Sequence, residues 1–271
     1  MVCEVVDAAW RRVRLPALPS RIISLVPSIT ETLFALGLGE RLVGVTRFCT
    51  EPSDRVGHKP RVGGQKNPDL EKIQSLQPDL VIANMEENRR QDVEALEAMA
   101  IAVYTTYPRT VEQGIAMVRE LGGVTGTEER ASAIAASLEE VCRDISREVR
   151  GQRRLRVFCP VWRKPYMSVN RDTYIHDVLQ ACGGENVFAA ESDRYPKISL
   201  AEVADLKPEI ILLPDEPYPF HQRHLVDFQP FEGCIPALAT GRVHFVDGKL
   251  LSWYGPRIGE SLRTLRALFL G

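Results

Sequence analysis

His221, His224 and Asp227 recur at intervals of three, so a helix would carry them on one face, where imidazoles and a carboxylate could hold a metal. A closed site also needs a fourth ligand and outer partners, and the plainer reading is an exposed helix after the Pro217–Pro219 break. His58, His176 and His244 stand alone and read as structural. A second set pairs a thiol, Cys49, with the carboxylates Glu86, Glu87 and Glu216, again a metal-capable mixture. The most informative set is aromatic and charged and falls at expected strand ends. In the first half it comprises Thr46, Arg47, Phe48 and Cys49, then Gly63, Gly64 and Gln65, then Asn84, Met85, Glu86, Glu87 and Asn88. In the second half it comprises Trp162, Arg163, Lys164 and Tyr166, then Arg194 and Tyr195, then Glu216 and Tyr218, then Trp253, Tyr254 and Arg257. Aromatic walls with a few fixed polar groups suit a bulky or planar ligand, the basic residues holding its carboxylates or phosphates. Enzyme signatures are missing: there is no GxSxG, Walker or HExxH pattern, and Gly37-Leu38-Gly39 reads as a helix stop.

These residues need a frame to position them, and an internal repeat supplies one. Segment 69–87 (DLEKIQSLQPDLVIANMEE) matches segment 199–217 (SLAEVADLKPEIILLPDEP), with Pro78 and Pro208 in register. Each is a short helix, a Leu-x-Pro-acid break and an apolar strand; the residue before proline is expected to be extended. The uninterrupted runs Leu80–Ala83 and Ile210–Leu213 suit strands buried on both faces of a parallel sheet. Strands are also expected over 21–27 and 155–160, each followed by a helix ending in glycine, and over 101–105 and 242–246. Ser28-x-x-Glu31 and Thr125-x-x-Glu128 read as capping boxes. A long helix over about 128–150, with an apolar stripe Ala131, Ile134, Leu138, Val141, Cys142, Ile145 and Val149 and a stop at Gly151, joins the halves. The arginines 143, 147, 150, 153, 154 and 156 complement its C-terminal dipole. The expected architecture is α/β: two similar Rossmann-like lobes with mostly parallel sheets joined by one long α-helix, with a ligand cleft between the lobes. The divisions are an N-terminal extension (1–20), an N-terminal lobe (21–125), the connecting helix (126–151) and a C-terminal lobe (152–271).

Composition bounds the function. The 271 residues carry 34 basic and 36 acidic side chains, a net charge of −2, which argues against a nucleic-acid or anionic-membrane partner, and the charge is not segregated apart from the arginine cluster. The 44% hydrophobic content is that of a globular protein, and no run approaches the ~18 apolar residues of a membrane span. The first twenty residues do not read as a signal peptide, because Glu4 and Asp7 interrupt the apolar stretch and Arg11, Arg12 and Arg14 follow it. The six cysteines show no paired spacing and read as buried or free thiols, consistent with a cytoplasmic setting for the sequence as it stands.

The stretches RIISLVPSITETLFALGLGERLVGVTRFCTEP and RVGGQKNPDLEKIQSLQPDLVIA resemble the helical-backbone solute-binding proteins of ABC importers for cobalamin, ferric siderophores and haem, nearest the cobalamin binders. The resemblance runs from about Arg21 to the C-terminus. It implies a non-enzymatic, extracytoplasmic, monomeric binder with no required cofactor, a corrinoid, haem or ferric chelate as ligand, and an ABC permease as partner. It implies no nucleic acid and no membrane insertion. Where cobalamin binders carry a tryptophan this chain has Asn84, and the acidic permease-docking residues fall on Glu202 and, near Arg90, on Glu87. The alternatives are a cytosolic metal-handling protein or enzyme on the same frame, using Cys49 and the carboxylates, and an interaction module.

Overall fold

In the computed structural model, which describes residues 3–270, the strands in chain order are β1 (Cys3–Val6), β2 (Arg12–Leu15), β3 (Ile22–Ser24), β4 (Leu42–Val45), β5 (Leu80–Asn84), β6 (Val103–Thr106), β7 (Leu155–Phe158), β8 (Tyr166–Met167), β9 (Gly184–Asn186), β10 (Lys197–Ile198), β11 (Ile210–Pro214) and β12 (Val243–Val246). The chain divides into two compact units. The first comprises the chain up to Pro108, Gly114–Ser137 and Tyr254–Pro256; the second comprises Arg109–Gln113, Leu138–Trp253 and Arg257 onward.

Each unit is built on one four-stranded sheet in which every pairing is parallel. The first sheet runs β4-β3-β5-β6 and the second β9-β7-β11-β12. Counted within its own unit, each has the strand order 2-1-3-4. The chain steps from the first strand to one side and then crosses back to the other, which opens a crevice beyond the carboxyl ends of the first and third strands. β5 and β11 are buried along their whole length, as their uninterrupted apolar sequences require. Ile23, Val81 and Val103 pack with Ile73 and Leu96 in one unit, and Phe158, Ile211 and Leu213 pack with Val203 and Phe228 in the other.

The repeat extends to the caps. Asp69 caps the helix Leu70–Ser75 by accepting from the Lys72 N–H (3.0 Å), and Ser199 caps the helix Leu200–Leu206 within a full capping box with Glu202. The residues before the prolines are not extended: Gln77 and Lys207 both adopt left-handed φ, +47° and +46°. The amide N–H of each satisfies a last-turn carbonyl, Gln74 and Ala204, so the helix closes sharply and proline starts the strand lead-in. The acid after each proline ties down the neighbouring strand's start. Asp79 accepts from the Ser20 and Arg21 amides (2.7 and 3.0 Å); Glu209 accepts from the Arg156 amide (3.0 Å) and from both terminal nitrogens of Arg153 (2.7 and 2.8 Å). Leu80 and Ile210 begin the third strands 130 residues apart, whereas Val103 and Val243 begin the fourth strands 140 apart. The second unit therefore carries ten more residues in its last crossover.

Led by the Arg153 hydrogen bond, these contacts hold the Glu209 carboxyl down to about 2. Its folded-state pKa lies below its unfolded one, so its stabilisation is present above about pH 4.5 and is lost as pH falls toward 2. We expect Glu209→Gln to lower stability at pH 7 and to leave it nearly unchanged near pH 2, read by urea unfolding at both pH values. Equal losses at the two pH values would refute the assignment.

The long helix is Glu128–Val149, closed by Gly151 at φ +74°. Two expected caps differ. Thr125 is the last residue of the preceding helix, Val111–Thr125, and its hydroxyl donates to the Leu121 carbonyl (2.6 Å). Ser28 lies inside the helix Pro27–Ala35, whose N-cap is Val26, because Pro27 takes the first helical position and moves the start back. That helix ends in a Schellman motif, with Gly37 N–H donating to Phe34 O and Leu38 N–H to Leu33 O. The arginines beyond the long helix have structural partners: Arg153 holds Glu209, and Arg154 donates to the Gln180 and Gly184 carbonyls (2.8 and 3.0 Å).

Candidate functional site

In the first unit the loops leaving β4 and β5 are stitched to the segment 63–67. The Arg47 N–H donates to Gly63 O (2.8 Å), and its guanidinium lies 4.9 Å from the Phe48 ring centre. Gly64 permits this approach, since a Cβ there would meet Asn67 Oδ1 at 2.5 Å and both Arg47 and Phe48 at 3.4 Å. Gln65 Nε2 donates to Glu87 Oε2 (2.9 Å), Lys66 Nζ to Glu86 O (2.5 Å) and Asn88 Nδ2 to Gln65 O (3.0 Å). Asn84, at the end of β5, is buried and turns the loop: its Oδ1 accepts from the Glu86 and Glu87 amides (2.8 and 3.2 Å), while Nδ2 donates to Thr106 Oγ1 (3.2 Å). Asn84 thus positions the loop, and its amide is engaged at both ends. Arg47, Phe48 and Met85 stay exposed, and Glu86 and Glu87 are half-buried.

Cys49 does not join that exposed face. Its thiol is enclosed, taking a hydrogen bond from Thr30 Oγ1 (3.1 Å) and lying 3.2 Å from Thr46 Oγ1, and burial pushes its pKa up. The Cys49 side chain therefore lies beneath the loop, not on its exposed face.

In the second unit the loops leaving β7 and β11 meet in an aromatic cluster. Trp162 packs edge-on against Tyr218 (5.6 Å between centres), Tyr218 against Phe220 (4.9 Å), and Tyr166 against Phe220 and Phe228 (6.2 and 6.0 Å). Asp227 fastens it. Its carboxylate accepts a two-pronged bond from Arg163 (2.6 and 2.9 Å) and one from the Tyr166 hydroxyl (2.8 Å). Arg163, first, and then Tyr166 hold the Asp227 pKa down. Asp227 belongs to a 3-10 helix, Gln222–Phe231, whose three-residue turn puts His221, His224 and Asp227 in one column. They nonetheless serve structure: His224 is buried and its Nδ1 accepts from the His221 amide (3.0 Å). Among the described residues no group of three or more His, Cys, Asp or Glu is arranged to hold a metal.

Trp253 follows β12 and is buried, not open for stacking. Its Nε1–H donates to Glu216 Oε1 (2.9 Å), and Lys249 and Arg257 lie 5.5 and 5.4 Å from its ring. Enclosure raises the Glu216 pKa, against the Trp253 hydrogen bond. Tyr254 is also buried, within the first unit. Arg194 donates to Asp172 O (3.0 Å) and lies 5.8 Å from the ring of exposed Tyr195. Glu202 is exposed at its helix start, its carboxylate engaged by Ser199.

Four large apolar side chains, Phe48, Met85, Trp162 and Tyr195, remain 39–48% exposed on the loops that leave β4, β5, β7 and β9 at their carboxyl ends. Sequence reasoning placed Met85 in the loop set without singling it out as a ligand contact, and missed the anchoring role of Asp227. Pro230, a poor residue for an α-helix interior, was the available sign that this segment would not be one.

Parallel sheets of this order with aromatic loops at their carboxyl ends define an open α/β fold that offers ligand positions at the strand ends. The match is specific: residues 22–250 fit the periplasmic binding protein family, and the chain belongs to it. It is 27% identical over 241 residues to a vitamin B12-binding protein of Vibrio parahaemolyticus, covering 88% of this chain and 84% of that one. Its fold is that of the periplasmic vitamin B12 binding protein of Vibrio cholerae (TM-score 0.83, 23% identity, 94% of this chain and 98% of that one). A periplasmic haem binding protein from Pseudomonas aeruginosa is similar at TM-score 0.81 and 26% identity, over 93% of each chain. Among the described residues no helix is long and apolar enough to cross a membrane.

Proposed function

We propose that this protein is the non-enzymatic, extracytoplasmic substrate-binding component of an ABC importer and takes a large planar ligand of the corrinoid or haem class. The observation that carries this reading is the exposure of Phe48, Met85, Trp162 and Tyr195 on the carboxyl-end loops of both sheets. Large apolar side chains left in water beside cations, here Arg47 and Lys164, are what a ligand with an apolar face and anionic or amide edges needs. Relatives that bind vitamin B12 and haem support the same class. Glu202 and Glu87 are the residues we assign to permease docking. Cys49, the thiol of the metal-handling alternative, is enclosed among Thr30 and Thr46, which favours the binder reading.

Titration calorimetry with cyanocobalamin, haemin and a ferric siderophore tests the reading. We expect micromolar or tighter binding of one of them, weakened about tenfold by Trp162→Ala and by Phe48→Ala. No binding by any of the three would remove this ligand class.

A further inference from the structure

The cations at the carboxyl end of the second sheet have unequal duties. Arg163 is committed inside the molecule: both its prongs lie on Asp227 (2.6 and 2.9 Å), and its side chain is only 15% exposed. Lys164 and Arg223 are exposed, and among the described residues neither has a carboxylate at ion-pair distance. Lys164 stands at φ +64° in the turn closed by Trp162 and Met167, whose amides and carbonyls exchange hydrogen bonds (3.1 and 3.4 Å). That left-handed conformation suits glycine and disfavours any other side chain, so the turn holds an ammonium in water beside the exposed indole at a cost in strain.

Arg223 gives the stronger sign. Its Nε lies 3.3 Å from Nε2 of His224, a buried ring. The other ring nitrogen, Nδ1, accepts from the His221 amide (3.0 Å), so the proton of the neutral ring sits on Nε2. Burial first, then the nearby Arg163 and Arg223 charges, lower the His224 pKa and keep the ring neutral. The Arg223 Nε–H and the His224 Nε2–H are therefore two donors facing one another without an acceptor. An oxygen of a carboxylate or phosphate would satisfy both and meet the guanidinium charge as well. Tyr218 joins this corner to the aromatic platform, its ring 5.5 Å from His224 and 5.6 Å from Trp162.

The charge balance agrees. Besides the His221 ring, the charges acting most strongly on Asp227 and His224 are those of Arg163, Lys164 and Arg223, against Asp227 itself, three positive to one negative. Asp215 and Glu216, the carboxylates that follow β11, are turned to the Gly248 amide (2.8 Å) and the Trp253 indole (2.9 Å).

We propose that Arg223 and Lys164, and not Arg163, are the anion-reading edge of the second unit's ligand site. Arg223, with the His224 Nε2–H, takes an oxygen of a carboxylate or phosphate on a planar ligand whose face lies on Trp162, and Lys164 supplies the second charge. This assignment rests on the ligand class proposed above and adds the chemistry at its rim.

Titration calorimetry of the full chain with two matched pairs tests it: haemin against its dimethyl ester, and cyanocobalamin against cyanocobinamide, which lacks the phosphate. We expect the member that carries the anionic group to bind about tenfold more tightly, and Arg223→Gln to remove about that factor from it while leaving its counterpart unchanged. A response in the first pair identifies the anion as a carboxylate, and in the second as a phosphate. Lys164→Gly should weaken the anionic member about threefold with the same selectivity. It should not lower the urea midpoint, since glycine fits φ +64°, so its loss of binding is not a loss of folding. Equal binding within both pairs, or equal losses on both members of a pair in Arg223→Gln, would overturn the assignment and leave the ligand class standing. No binding by any of the four would overturn both.

Discussion

Replacing Asp7 with alanine is expected to cost the protein about 3 kcal/mol, the largest loss among the substitutions considered. The carboxylate is fully buried and takes hydrogen bonds from three amides and from Arg11. Without it, the Ala9, Arg11 and Thr105 amides lose an acceptor that water cannot easily replace, and Arg11 keeps only Glu97 (2.8 Å). The Thr105 amide belongs to β6, so the loss reaches the sheet edge and is not confined to the hairpin. Urea unfolding with a common slope is the measurement; a change below about 1 kcal/mol would show that the hairpin is an appendage. Asp7→Asn should fall between, since it keeps an acceptor and places an amide group against the guanidinium.

The second large effect is expected at Asp227. Asp227→Ala leaves the Arg163 guanidinium, itself mostly enclosed, without its two-pronged partner, and frees the Tyr166 hydroxyl. We expect about 2 kcal/mol of destabilisation, with partial exposure of the pair setting the lower figure relative to Asp7. Because Trp162 is adjacent to Arg163 and packs on Tyr218, the same substitution should loosen the exposed indole. Affinity for the corrinoid or haem ligand should then fall about tenfold. A stability loss with unchanged affinity would separate the aromatic cluster from the binding surface. Tyr166→Phe, which removes one of the three hydrogen bonds and keeps the ring, should show a fraction of both effects.

Much of the frame was legible because its signals are local. Apolar runs that follow Pro78 and Pro208 suit buried strands, and the stripe from Ala131 to Val149 suits one face of a helix. The left-handed Gln77 and Lys207 were not legible, because a proline's influence on its predecessor is a preference that a helix stop can override. The β1–β2 hairpin was legible in principle: Arg12-Val13-Arg14-Leu15 alternates strictly, with Val13 and Leu15 buried. The site was harder. That Arg163 sits on the loop after β7 follows from its position, but that Asp227 meets it across 64 residues follows only from the fold. Cys49 lies between the exposed Phe48 and Thr50 and is itself enclosed, a distinction set by packing on other elements.

The ten-residue difference between the last crossovers bears on how such a molecule can change. A duplicated frame must keep its sheet registers, so length can be gained only where the chain leaves one strand and has not yet reached the next. Here the gain fell between β11 and β12, the stretch that supplies Tyr218, Phe220, His224 and Asp227. One half of the inheritance was thereby released from its twin, and residues 215–231 are the segment in which a library could retune recognition while the other unit is left as it is.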